Sequence, residues 1–162
     1  MSDPTGELQE LDAEQAVLGS MLIDRDCIRD VLALLRDTDF AMKINAQIYR
    51  MIQQLENAGK TVDAMLVADT LHADASQREY LAQLMDLTPT SANALEYTDI
   101  VLRASRRRAI RAAAQTAIER LDAHAPESEI LPELEQAING AAERMGSDLL
   151  TPMQQVERYY AH

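Results

Sequence analysis

Five arginines, Arg103, Arg106, Arg107, Arg108 and Arg111, fall within nine residues of a chain whose formal net charge is −12. Guanidinium groups pair with carboxylate and phosphate alike. Three chemistries are therefore open to the cluster: salt bridges within or between chains, contact with an acidic partner, and contact with DNA. The acidic remainder disfavours the last, because sequence-independent affinity for nucleic acid comes mainly from Lys and Arg neutralising phosphates. Other candidate chemistry is sparse. His72 with Asp69 and Asp74 offers one histidine at the spacing of no ligand motif, so no metal site is expected. Cys27 is the single cysteine, set beside Ile28 on an apolar stripe, which leaves no intrachain disulfide and suggests a core position. No G-x-x-x-x-G-K-[ST] string occurs, and neither lysine, Lys43 or Lys60, stands beside a glycine-rich loop. Nothing here would cradle nucleotide phosphates. Carboxylates are plentiful, yet none marks a catalytic pocket, so no catalytic, cofactor-binding or metal residue is assigned.

The elements that position these residues read as helices throughout. Composition is 47% hydrophobic and 26% charged, with 4% aromatic residues and no Trp. Such a core is built from Leu, Ile, Val, Met and Ala, which pack helix against helix. Five Gly and five Pro are too few for a turn-rich β-sandwich. Residues 1–10 are polar and expected to be frayed. Asp12 is a candidate N-cap for a helix over 13–23, where Val17, Leu18, Met21 and Leu22 recur at helical spacing. Gly19 inside it implies close approach of a neighbouring helix. Asp24 can cap a second helix with Ile28, Val31, Leu32 and Leu35, and Asp37-Thr38-Asp39-Phe40 breaks the pattern. A third helix runs from about Lys43 to Ala58, with Gly59 suited to its C′ position. Asp63 caps a short fourth. Ser76 to Glu79 has the form of a capping box for a fifth, which ends at Thr88-Pro89-Thr90.

Residues 11–91 thus form a compact helical head, and residues 92–146 a long αα-hairpin turning at His124-Ala125-Pro126. One arm carries Ile110, Ala114, Ala117, Ile118 and Leu121 on its apolar face; the other carries Leu131, Leu134, Ile138, Ala141 and Met145. Each face is wider than one antiparallel partner covers, so pairing with a second hairpin into a four-helix bundle is expected. Residues 103–111 would lie alongside about 139–148, where Glu143 and Asp148 cannot match five arginines. Residues 147–162 read as a linker and the start of a further helix. No basic n-region and apolar h-region open the chain, and no apolar stretch approaches bilayer-spanning length, so a cytoplasmic protein with no membrane contact is expected.

The ordered motifs carry a resemblance. Asp12-Ala13-Glu14-Gln15-Ala16-Val17-Leu18-Gly19-Ser20-Met21-Leu22 is similar to the opening helix of the N-terminal domain of DnaB-type bacterial replicative helicases. Asp39-Phe40, Gln47-Ile48-Tyr49, Gly59 with Val62-Asp63, Tyr80-Leu81-Ala82-Gln83-Leu84, Thr90-Ser91-Ala92-Asn93 and Tyr97-Thr98-Asp99-Ile100-Val101 follow in the family's order. The likeness covers residues 8–111 well and the hairpin more loosely. It departs from the family in three places. Asp74 to Glu79 replaces a Gly-Gly pair before Tyr80, Asn45 or Ala46 stands where a histidine is usual, and Arg106, Arg107 and Arg111 lie where the family tends to be apolar.

The resemblance implies an all-α head and hairpin whose hairpins pair between subunits. Three such dimers would form a collar above six ATP-driven motors. It also implies docking of primase, and of a helicase loader, on the head, with Asp12, Glu14 and Tyr80 in the contact. Residue by residue the bland alternatives are a cap for Asp12, a first-turn acid for Glu14 and half-buried core for Tyr80. ATP and Mg²⁺ would belong to the motor, and a linker helix would begin at Thr151-Pro152-Met153. Without a phosphate loop, this stretch is expected to assemble and dock rather than unwind DNA. The alternative is a naturally motor-less adaptor or inhibitor that captures primase or co-assembles with a helicase; continuation past His162 into a phosphate-loop domain would separate the two.

Overall fold

A computed structural model of the protein describes residues 4–145. The linker expected at 147–162 and the side chain of Met145 lie outside the described residues. Among these there are seven α-helices and a single 3₁₀ turn: α1 (Pro4–Ile23), α2 (Asp26–Leu34), the turn Asp37–Asp39, α3 (Lys43–Asn57), α4 (Ala64–Leu71), α5 (Ala75–Asp86), α6 (Ala94–Asp122) and α7 (Glu127–Met145). The all-α head and hairpin expected from the sequence are what the chain forms.

Helix α1 is the spine of the head and packs against α2, α3 and α5. Ala13, Val17, Leu18, Met21 and Leu22 are buried along it, as their spacing requires. It begins earlier than expected. Pro4 occupies the first helical position, where its missing N–H breaks no bond, and no helix breaker separates Glu7 from Leu11. Asp12 is therefore an exposed residue inside α1 rather than its N-cap. Gly19 does mark a close approach: a Cβ there would lie 2.0 Å from Thr88 Oγ1 and 2.4 Å from the Leu84 carbonyl oxygen.

Most helix ends follow local chemistry. The Asp63 carboxylate accepts the Leu66 N–H at 2.7 Å, and Gly59 leaves α3 with φ +69°. The capping box of α5 lies two residues before the expected one, with Asp74 accepting from Gln77 N–H at 2.9 Å and Gln77 Oε1 accepting from Asp74 N–H at 3.0 Å. The N-cap of α2 is Arg25 and not Asp24 as expected; Asp24, one residue earlier, accepts from Asp26 N–H through Oδ1 at 2.9 Å and from the Ser91 hydroxyl through Oδ2 at 2.6 Å. The Ser91 bond first, then the Asp26 bond, holds the Asp24 carboxyl below the usual carboxylate range. Its support of this junction is thus complete above the unfolded-state value and lost as pH falls through the lower folded-state value. Ser91→Ala is expected to move the Asp24 titration upward in a carboxyl-detected NMR experiment, with the other surface aspartates unmoved.

Around the spine, Ile28, Val31, Ile48, Ile52, Val67, Leu81 and Leu84 close the core. Tyr49 is fully buried, donates its hydroxyl to the Leu35 carbonyl at 2.7 Å and stacks on Phe40 with centroids 5.0 Å apart. Cys27 packs half-buried against this core, and burial, with the nearby aspartates adding to it, pushes its thiol up to about 11.

The chain divides into two compact units after Ser105, inside α6, and not at the start of that helix. The physical reason lies in the first turns of α6. Ala94, Thr98, Val101 and Ala104 are buried in the head, and the Ser105 hydroxyl donates to the buried Asp39 carboxylate at 2.7 Å. The second unit is the hairpin. His124 lies in its turn at φ 56°, as expected, and the helix of its second arm continues through Pro132.

Candidate docking surfaces

In the head, α1, α3 and α5 converge on an open cleft of ≈ 380 Å³ lined by Leu11, Gln15, Met42, Ile44, Asn45 and Tyr80, with Ser76 and Gln77 at its edge. Tyr80 is half-buried; its hydroxyl donates to Asn45 Oδ1 at 2.6 Å and accepts from Gln15 Nε2 at 3.5 Å. Burial pushes its phenol above the usual tyrosine value, against the two hydrogen bonds, which lower it, and with the charge of Glu14 adding to the rise.

Asn45 is itself held from behind. Its Nδ2 donates to Glu14 Oε2 at 2.8 Å. The same carboxylate accepts the backbone N–H of Ala41, and that of Met42 at 3.4 Å. Helix α3 has no side-chain cap of its own at Met42, so Glu14, reaching from α1, satisfies the approach to its N-terminus, where a carboxylate is electrostatically favoured. Glu14 is 1% exposed. The expectation that it is a first-turn acid offered to a partner is corrected on both counts: it lies mid-helix, and its carboxylate is enclosed. Of the three residues assigned to the head's contact, Tyr80 lines the cleft, Asp12 is exposed, and Glu14 supports Tyr80 through Asn45 from the interior. Asn45, Gln15 and Met42 were not singled out by sequence reasoning. Glu14 did carry a signal, since its spacing to Val17, Leu18 and Met21 puts it on the core face of α1.

The hairpin presents the second surface. Between its arms lies a groove of ≈ 280 Å³ lined by Ala109, Ala112, Ala113, Thr116 and Ala117 of α6 and by Ile130, Glu133, Leu134 and Ala137 of α7. Ile130, absent from the expected stripe, is 6% exposed. Of the residues expected at an interface between hairpins, Ala117 and Leu134 line this groove, and the large aliphatic ones are exposed. Ile110, Ile118, Leu121, Leu131 and Ile138 are each 51–57% exposed, Ala114 is exposed, and Ala117, Leu134 and Ala141 are half-buried. A row of five large aliphatic side chains half in water is an apolar face without a cover within the described hairpin.

The arginines do not act as one patch. Arg103 belongs to the head unit and pairs with Asp99 at 2.7 Å. Arg106 donates to the Arg144 carbonyl at 2.6 Å, near the C-terminal end of α7, where a cation is favoured. Arg108 is half-buried, and Arg107 and Arg111 are exposed. The nominal trio at His72 is likewise dispersed in role, with Asp69 paired to Arg78 at 3.0 Å and Asp74 capping α5. Among the described residues no helix is long and apolar enough to cross a membrane.

Among the described residues, the head carries an open cleft and the hairpin carries exposed large aliphatic side chains. The chain belongs to the family of DnaB-like helicase N-terminal domains, whose model matches residues 6–103. It is 41% identical over 98 residues to the replicative DNA helicase DnaB of Mycobacterium leprae (strain TN), over 57% of this chain and 16% of that protein. The replicative DNA helicase DnaB of Leifsonia xyli subsp. xyli (strain CTCB07) is 38% identical over 97 residues, over 57% of this chain and 21% of that protein. The chain therefore spans only a fifth or so of these relatives. Among solved structures, the crystal structure of the N-terminal domain of DnaB helicase from Mycobacterium tuberculosis matches with TM-score 0.73 and 31% identity, over 80% of this chain and 96% of that one. A DnaB-like replicative helicase, described with its interactions with primase, matches with TM-score 0.66 and 25% identity, over 84% of this chain and 34% of that one.

Proposed function

We propose that this chain is the assembly and docking domain of a replicative DNA helicase that unwinds DNA at the replication fork. On this reading its hairpin pairs with the hairpin of a second copy, three such pairs form a hexameric collar, and the head offers the Tyr80 cleft to primase or a loader. ATP and Mg²⁺ would serve motor segments beyond this stretch.

The observation that carries the reading is the uncovered row Ile110, Ile118, Leu121, Leu131 and Ile138. Full burial from full exposure contributes roughly 1.5–3 kcal/mol per such side chain, so about half of that remains available from each of these five half-exposed residues toward a self-complementary four-helix contact. The relatives support the helicase context by family membership.

The test is oligomeric state. By light scattering, the unmodified chain should show a multiple of 18.0 kDa. Ile118→Glu combined with Ile138→Glu should reduce the mass to that of the monomer, while thermal melting by circular dichroism still reports a folded head. An unchanged mass in the double variant, or a monomeric unmodified chain, would sink the hairpin reading. Repeating the measurement with cognate primase tests the head: Tyr80→Ala should weaken the complex and leave the self-assembly intact.

A further inference from the structure

Residues 1–24 and 79–102 contain no Lys, Arg or His, although acids recur through both stretches. The fold packs these two stretches together in the head. Gln15 of α1 reaches the Tyr80 hydroxyl at 3.5 Å, and one turn further along each helix Gly19 lies against the Leu84 carbonyl and Thr88. The two helices therefore run in the same direction and end side by side. Ile23 closes α1 and Asp86 closes α5. The Asp24–Ser91 bond of 2.6 Å ties this end to the segment leading into α6.

The junction is apolar on its surface. Of the large apolar side chains exposed on the head, Met42 belongs to the Tyr80 cleft, and Leu34 and Met65 lie on α2 and α4. The others fall here: Ile23 one turn after Gly19, Leu87 beside Thr88, and Leu95 at the start of α6. They are 38%, 64% and 52% exposed. One such side chain in water is ordinary; three gathered at one junction form a patch that a partner can cover.

The junction is also short of positive charge. Neither α1 nor α5 has a basic residue in its last turn, and α5 ends on Asp86, a like charge at the negative end of the helix dipole. Asp26, Asp86 and Glu96 are exposed. Together with Asp24 they rim the patch, and none is ion-paired with a described residue. Arg25, between two of them in sequence, reaches toward Glu56 instead, at 3.9 Å.

We propose that this junction is a second docking surface on the head, separate from the Tyr80 cleft, for a basic amphipathic helix of another protein. Apolar residues at three- and four-residue spacing on that helix cover Ile23, Leu87 and Leu95. Its Lys and Arg meet the unpaired carboxylates and the carbonyl ends of α1 and α5. Phosphate-rich partners are repelled by the same carboxylates. This chain has a stretch of similar chemistry in Arg107 to Arg111, but Ile110 within it lies on the face assigned above to hairpin pairing. To the extent that the choice of another protein over a second copy rests on that pairing, light scattering checks it below.

The probe is a labelled peptide of Leu and Lys about five turns long, with Leu at helical spacing; its control has the same composition in scrambled order. Fluorescence anisotropy with the full chain should show saturable binding, roughly tenfold tighter for the probe than for the control. Leu87→Ser with Leu95→Ser should weaken it roughly tenfold or more, and Asp86→Lys roughly fivefold or more, with helicity unchanged by circular dichroism. Asp122→Lys makes the same charge change at the exposed last residue of α6 and should have little effect, as should Tyr80→Ala. Equal affinity for the scrambled peptide, or an equal loss in Asp122→Lys, would reduce the binding to diffuse attraction by an acidic chain and overturn the proposal. Lost binding in Tyr80→Ala would overturn it by moving the occupant to the cleft. A lower mass for the Leu87/Leu95 variant by light scattering would overturn it by giving the patch to a second copy. None of these outcomes touches hairpin pairing, which the Ile118/Ile138 variant tests by itself.

Discussion

Gly19→Ala is expected to destabilise the head by about 1–3 kcal/mol or more, the size of an overpacking defect. The sign runs against helix propensity, which favours Ala over Gly by about 1 kcal/mol inside a helix. The contact geometry decides the matter. A methyl group at position 19 would lie 2.0 Å from Thr88 Oγ1 and 2.4 Å from the backbone oxygen of Leu84. A threonine side chain can rotate aside; a helical carbonyl cannot move without shifting the end of α5. Pairing Gly19→Ala with Thr88→Ala should therefore recover only part of the loss. Urea unfolding followed by circular dichroism measures both variants, and a neutral or stabilising Gly19→Ala would mean that α1 and α5 do not approach this closely.

Glu14→Ala should cost about 2–4 kcal/mol by the same measurement. Removing the carboxylate strips the hydrogen-bond acceptor from the Ala41 and Met42 N–H groups and from the Asn45 amide. A buried donor left unsatisfied costs roughly 1–3 kcal/mol. Water reaches part of this site, since Ala41 and Met42 are exposed as residues, and that keeps the total below three full penalties. Glu14→Gln should fall between the two, because the amide retains one acceptor oxygen but turns an NH₂ group toward donors. Faster amide hydrogen exchange at Ala41 and Met42 in Glu14→Ala would locate the damage at the start of α3. Because Asn45 also receives the Tyr80 hydroxyl, the variant should loosen Tyr80 in its cleft. A primase-binding defect in Glu14→Ala would then arise from the interior and not from a lost surface contact.

That distinction separates what local sequence encodes from what it does not. Gly59 and Asp63 could be assigned their roles in advance, because a C′ glycine and an N-cap aspartate each answer a requirement set within a few residues; Gly19 signalled a close approach, but only the fold shows that Leu84 and Thr88 make it. The apolar stripes of α1 and α3 were legible for the same reason: spacing at three and four residues defines a helix face. Asp12 misled, because an aspartate favourable as a cap is also tolerated within a helix whose earlier residues do not break it. The α5 capping box is displaced because Asp74 and Gln77 satisfy the same pattern as Ser76 and Glu79 two residues earlier.

The hairpin arginines, with which the chemistry of this chain began, show the same division. Sequence alone determined an all-helical chain of head and hairpin, its family, and an arginine-rich base with too few acids nearby to neutralise it. Tertiary structure decided that Arg103 pairs within the head, that Arg106 satisfies a carbonyl at the end of α7, and that Arg107 and Arg111 remain exposed. It also enclosed Glu14 and Asp39, each of which takes a hydrogen bond from a group far along the chain, 27 residues away for Ala41 on Glu14 and 66 for Ser105 on Asp39. The physical reason is one of range. Helices, caps and faces are set by neighbours within one or two turns, whereas the burial of a carboxylate or the freedom of a guanidinium depends on which distant backbone groups the packed helices bring to it.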